Sequence, residues 1–260
     1  MKVTERVRLV VNGHEHAGWK EVRLSAGIER QCRDFSLTVT DRWPGNEVIR
    51  RVRPGDLCEV WFGADKMLTG YIDATPISYE AGQVTVSVNG RSKTADLVDC
   101  AAQHRSGQWR SASVLRIAQE LAAPYGVTVL AEVDPGNIAE HQLEPGETVF
   151  ESIDRLITQK ALLATDDGEG RQILTRAGRL RAGTALETGV NILTGSASLD
   201  FKERFSEYIC KGQRAGNDQD FGAAVAQSAA SVTDASITRR RVIELRAEGQ
   251  GDIAACRDRV

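Results

Sequence analysis

No run of apolar residues in these 260 approaches the roughly 20 that cross a bilayer as a helix. Met1 to Gly13 alternates charged with apolar residues where a secretory signal would carry an apolar core, so the sequence reads as a chain without stable membrane association. Made and kept in the cytosol, it would leave only as part of an assembly. Aromatic residues are scarce, at 5%, and the four tryptophans have no interleaved basic pattern, which excludes a stacking track for single-stranded nucleic acid. Neither sign of charge dominates: 33 Lys and Arg face 36 Asp and Glu, and a net charge of -3 gives no global pull toward nucleic acid. The basic and acidic counts are 14 and 14 in residues 1–100, 8 and 11 in 101–180, and 11 and 11 in 181–260, so the acidic excess lies in the middle.

The means of catalysis are also thin. Five widely spaced cysteines without a CxxC pair suggest neither a disulfide framework nor a zinc site, and read as reduced, mostly buried thiols. There are four histidines, and no GxSxG, Walker A, HExxH or GxGxxG motif. His14-Glu15-His16 lacks a third metal ligand and reads as a solvated turn. Asp166-Asp-Gly-Glu-Gly170 lacks the alternate ligand spacing of a calcium loop and reads as a polar hairpin turn. Glu151 and Asp154, one helical turn apart, are better explained by capping and surface pairing than by a shared catalytic proton. No catalytic, cofactor-binding or metal-binding residue is assigned.

What is present is alternation. Val7, Leu9, Val11; Phe35, Leu37, Val39; and Val84, Val86, Val88 repeat every second residue, separated by turn signals at Asn12-Gly13, Pro44-Gly45-Asn46, Pro54-Gly55-Asp56, Gly63 and Asn89-Gly90. Residues 1–100 therefore read as an all-β domain. The period then changes. Thr94 to Cys100 forms one or two helical turns. From Ser111, the residues Val114, Ile117, Ala118 and Leu121 follow helical spacing until Pro124 and Gly126, and Thr148 with Glu151 forms a capping box ahead of Val149, Ile153, Leu156 and Ile157. A strand at Val127 to Leu130 and a hairpin over 161–175 complete an α+β domain, residues 101–182. Strand signals return at 190–193, 198–201, 208–211 and 242–245 in a second β domain, 183–260, with a long loop over 214–236 and a helix beginning at Asp252.

For contacts with partners, Trp43 in Asp-Arg-Trp-Pro-Gly is the candidate exposed anchor, while Trp61 reads as core or interface. Arg50, Arg51 and Arg53, and Arg239, Arg240 and Arg241, are candidate donors of salt bridges across a subunit boundary; Arg176, Arg179 and Arg181 form a third basic cluster.

Several stretches in order resemble a known family. They are Ser113 to Gly126, Gly146 to Leu156, Leu163 to Gly168, Leu174 to Gly178, Ser196 to Phe201 and Glu203 to Gln213, with Val11-Asn-Gly13, the Phe35 strand and Arg53-Pro-Gly-Asp56 fitting at the N-terminal end. Together they are similar to the baseplate hub (tail) protein of Mu-like contractile-tailed phages and prophages. The resemblance implies a mainly β, α+β fold: two related β-barrel domains with an inserted small α+β domain, in a trimeric phage tail hub. It gives meaning to an echo between Glu29-Arg30 before Phe35-Ser-Leu and Glu203-Arg204 before Phe205-Ser-Glu-Tyr208.

The implied function is structural, not enzymatic. The homotrimer would adapt a sixfold tail tube protein to a threefold central spike protein, beside baseplate wedge proteins, with DNA only in transit through its channel. It would work in the virion tail baseplate after assembly in the host cytoplasm. Family members run on by on the order of 100 residues, one small domain, so the second barrel is expected to be incomplete. The alternative is a peptidoglycan-binding or peptidoglycan-cleaving tail module, with Trp109 and Tyr125 as sugar-stacking surfaces.

Overall fold

The computed structural model describes residues 6–28, 30–40, 52–80, 83–176, 178, 183–192, 194–212 and 228–247. Two compact units divide the chain, one of Met1–Ile157 with Leu162–Thr175, the other of Thr158–Ala161 with Arg176–Val260.

The first unit opens with strands β1 (Val7–Val11), β2 (His14–His16), β3 (Glu21–Ser25), β4 (Asp34–Thr40), β5 (Leu57–Phe62), β6 (Asp65–Ala74), β7 (Ile77–Glu80) and β8 (Gln83–Ser92). Asn12 and Gly13, at φ 50° and 77°, make the tight hairpin from β1 to β2. The strands form one sheet in the order β2-β1-β5-β6-β8-β4-β3, with β7 paired to β8. Alternation puts Leu9, Phe35, Leu37, Val60, Leu68, Ile72 and Val88 into one buried cluster. The expected closed barrel is not found: among the described residues β2 and β3 end the ladder without pairing to each other. The sheet is nonetheless curled. Its two ends would lie about 29 Å apart if flat, at about 4.8 Å per strand, whereas the chain from His16 to Glu21 reaches at most about 18 Å.

The α+β segment follows with α1 (Ala95–Asp99), β9 (Gln108–Ser113), α2 (Val114–Ala122), a 3-10 turn (Ala123–Tyr125), β10 (Val129–Ala131), β11 (Asn137–Gln142), α3 (Val149–Gln159), β12 (Leu163–Asp166) and β13 (Gln172–Thr175). Ser113 caps α2 by accepting from the Arg116 amide at 3.2 Å, and left-handed Gly126 ends the turn that follows it. The capping box forms: the Thr148 amide donates to Glu151 Oε2 at 2.7 Å, and the Glu151 amide donates to Thr148 Oγ1 at 3.2 Å. Both helices bury their apolar stripes in one core with Val129 and Leu174, the sheet running β10-β13-β12.

The β9-β11 ribbon escapes the sequence pattern. Its buried residues, Trp109 and Ala112 opposite His141 and Ile138, are spaced by three because Ser111, at φ 46°, breaks the pleat.

In the second unit, β14 (Glu207–Gly212) pairs antiparallel with β15 (Ser228–Thr233) and parallel with β16 (Val242–Arg246). Among the described residues, Cys210 and Ala247 are its buried apolar cluster. Strands are expected at 190–193 and 198–201, but among the described residues none forms at 190–192 or 198–201. The Glu187 carbonyl instead collects the amides of Val190, Asn191 and Ile192 in a turn, and Ser198 to Phe201 is irregular. The expected long loop contains β15, whose small Ser and Ala residues hid its alternation. Residues 213–227 and the helix expected from Asp252 lie outside the described residues.

Gly90 lets β8 cross β6, since a Cβ there would overlap the Tyr71 carbonyl and the Phe35 ring. Gly90→Ala is expected to lower stability by about 1–3 kcal/mol, seen as a lower urea midpoint at unchanged slope; an unmoved midpoint would contradict this packing.

Candidate functional site

The most concentrated set of polar groups is where the β12-β13 hairpin meets the N-terminal sheet. Asp166 ends β12 with its side chain 2% exposed, and Arg33, just before β4, reaches it. The Arg33 amide donates to Oδ2 at 3.0 Å and its Nε to Oδ1 at 3.1 Å, while Nη1 and Nη2 donate to the carbonyls of Met67 and Asp166 at 2.7 and 3.1 Å. Thr94 Oγ1 donates to the same carboxylate at 3.3 Å and shares a 2.7 Å bond with Ser92 Oγ. Gln31 and Gln172, also buried, bond side chain to side chain alongside. A buried carboxylate holds its charge only when compensated in this way.

The turn that follows is shaped to fit. Gly168 offers its carbonyl to Thr69 Oγ1 at 2.8 Å, and Gly168 and Gly170 lie so close to the backbone at Lys66 and Thr69 that no Cβ fits at either. Lys66 bridges Glu59 and Glu169 at 3.0 and 2.9 Å and lies over the half-buried Trp61 ring, as does Arg8. The turn is thus polar, as the sequence implied, and its carboxylates serve packing within the unit.

A second cluster lies under the β9-β11 ribbon. Trp109, 5% exposed, stacks on His104 at 4.4 Å between ring centroids and lies 5.7 Å from His141; its Nε1 donates to Glu120 at 2.7 Å. That bond and Arg116 hold the Glu120 carboxyl below the usual range. His141 Nε2 and Ser152 Oγ share a buried 2.7 Å bond. Burial, then the nearby Arg155 charge, bring the imidazole pKa down to about 4. Trp109 therefore offers no face to a sugar, and the Tyr125 hydroxyl is bonded to the Ala101 carbonyl at 2.6 Å, which corrects the stacking role considered for this pair.

The residues singled out for contacts are dispersed. Arg53 is exposed in a turn whose amide donates to Asp56 Oδ2 at 2.8 Å. Arg239 and Arg240 are exposed. Arg241 is spent internally: Nη1 and Nη2 donate to the carbonyls of Phe201 and Lys202, and its guanidinium lies 4.9 Å over the Phe205 ring. Trp43, Arg50, Arg51, Arg179 and Arg181 lie outside the described residues, while Arg176 donates to the Lys160 carbonyl at 3.2 Å.

His14 is exposed, but its partner His16 is buried opposite Leu9, so the pair is only half a solvated turn. Among the described residues no three His, Cys, Asp or Glu side chains gather as a metal site. Cys32, Cys58, Cys100 and Cys210 are thiols, with Cys58 pushed up to about 12 by burial; Cys256 lies outside the described residues. What sequence reasoning missed is the Arg33–Asp166 contact, 133 residues apart; its one local signal was a Gly-rich turn carrying more acids than a hairpin needs.

This fold belongs to a class seen in phage tails. The 43 kDa tail protein of prophage MuSo2 from Shewanella oneidensis matches with a TM-score of 0.84 and 31% identity, over 98% of this chain and 76% of that one. The tail protein of Neisseria meningitidis MC58 matches at 0.78 with 22% identity, over 98% and 74%. Residues 6–92 match the family model for the Mu phage baseplate assembly protein GpP-like N-terminal region, and residues 94–176 the baseplate hub protein gp44-like second domain. The baseplate hub protein gp44 of Escherichia phage Mu is 34% identical over 251 residues, 92% of this chain; the chain spans 64% of that relative's length. The chain belongs to the family of Mu-like phage and prophage baseplate hub (tail) proteins.

Asp166→Ala would leave the Arg33 charge buried without its partner. Breaking such a pair costs about 3–5 kcal/mol, and the loss here is expected at the lower end because the Arg33 side chain keeps 23% exposure. The exposed Arg110–Glu140 pair, removed by Arg110→Ala, should cost under about 1 kcal/mol. Equal small losses in chemical denaturation would sink the assignment. With its pKa at about 4 when folded and near 6.5 when unfolded, His141 contributes stability that is complete above pH 6.5 and is lost as pH falls through about 4. His141→Gln should flatten that part of the stability–pH curve; an unchanged curve would show that His141 does not cause it.

Proposed function

We propose that the chain is a ring-forming subunit of a baseplate hub. Three copies close into a trimer whose two β domains per subunit, related to each other and barrel-like, offer six near-equivalent surfaces to a sixfold tail tube. The opposite, threefold side meets the central spike, wedge proteins lie around the ring, and DNA passes through the centre at injection. The observation that carries this reading is the 34% identity to the Mu hub protein along 92% of the chain. The charge balance supports it, since many cations of the first unit are neutralised within it and give phosphate little to hold.

The domains are taken as 1–100, 101–182 and 183–260, with assembly in the host cytoplasm before incorporation into the virion. The role is association, not turnover. Exposed Arg53, Arg239 and Arg240, with Arg50, Arg51 and Trp43, are taken as contacts between subunits or with partners; Arg241 is kept by its own unit.

Light scattering of the purified chain is expected to give three times the chain mass as concentration rises. A strict monomer at high concentration would refute the ring, and release of soluble fragments from cell-wall sacculi would restore the enzymatic alternative.

A further inference from the structure

Among the described residues, two strands end their sheets without an outer neighbour and carry complementary patterns. β3 pairs on one side only, with β4, and reads Glu-Val-Arg-Leu-Ser; β16 pairs on one side only, with β14, and reads Val-Ile-Glu-Leu-Arg. Laid antiparallel over their full length, Arg23 falls opposite Glu244 and Glu21 opposite Arg246, while Val22 falls opposite Leu245 on the other face. That other face is the one through which Leu24 and Leu245 pack onto their respective cores. The pairing would therefore run the apolar side of one sheet into that of the next, with both acid–base pairs on the wet side.

We propose that β3 of one copy pairs antiparallel with β16 of a second copy of this chain, and that this strand pairing is the joint that closes the ring. The proposal rests on the ring reading above. The register follows from the pattern: a slip by one residue would set apolar side chains against charges and align the core face of one sheet with the wet face of the other. The choice of partner follows from charge. Full-length antiparallel pairing of β3 with itself would place Arg23 against Arg23, and of β16 with itself Glu244 against Glu244, both repulsive.

A joint between two different edges is head-to-tail, the kind that generates rings when the rotation closes. The groups are also available. Glu21, Val22, Arg23, Glu244 and Arg246 are exposed, and among the described residues Glu21, Arg23 and Arg246 make no ion pair. Glu244 lies 2.8 Å from Lys211 on β14, so Arg23 would extend an existing pair. An uncovered edge is otherwise open to indiscriminate association, and a specific partner removes that exposure.

Sedimentation equilibrium of the full chain tests the joint with Arg23→Glu, Glu244→Arg and the double reversal. Circular dichroism should show all three folded, since both residues are exposed. Each single reversal is expected to raise the ring's dissociation constant at least about tenfold, and the double to return it to within about threefold of the parent. Single variants that assemble as tightly as the parent would place the joint elsewhere while leaving the ring intact. A double variant as weak as the singles would show that these residues do not face each other. A parent chain that never leaves the monomer would overturn the ring reading and this joint with it.

Discussion

The Asp166 carboxylate, carried into the interior at the end of β12, has to be compensated where it sits. Arg33 supplies both charge and donors, and Thr94 adds a third bond. These groups come from three separate stretches of chain, so satisfying one buried charge fixes the N-terminal sheet, the start of the α+β segment and the β12-β13 hairpin against one another. The glycines of the turn serve the same contact, because Gly168 and Gly170 let the hairpin backbone approach β6. Removing one partner of such a pair is costly because the other charge is left buried without compensation.

The second unit is built on a different balance. Its described core amounts to Cys210 and Ala247 with their half-buried neighbours, while Leu186, Val190, Leu199, Phe201 and Val232 stand exposed. A monomeric domain seldom leaves so many large apolar side chains uncovered around so small a core. On the ring reading proposed above, surface left unburied on folding would remain as the driving force for association.

Much of the local structure was legible in the residues. Alternation located β1, β4 and β8, the Thr148–Glu151 box located α3, and Pro124 with Gly126 marked the end of α2. Each is a short-range rule whose cause and effect lie within one turn or one strand. The ribbon of β9 and β11 was not legible because Ser111 disturbs its period, nor was β15, whose Ala and Ser side chains carry little hydrophobic contrast.

Val190, Leu199 and Phe201, which mimic strand residues, are solvent-exposed, so hydrophobicity there does not report burial. Of the functional calculus, family and class could be reached from the residues in order. The Arg33–Asp166 contact could not, because nothing in either local sequence names a partner so distant. Trp109 shows the opposite failure: an aromatic that looked available for a ligand is consumed by His104, His141 and Glu120.

The central claim is that a buried charge pair makes the N-terminal sheet and the α+β segment open as one body. Native-state hydrogen exchange tests it most directly, by comparing the amides of Leu37 in β4 and Leu121 in α2 as denaturant is raised. The account predicts that both open with the same free energy and the same dependence on denaturant. Exchange at Leu121 through an opening that leaves Leu37 protected would contradict it.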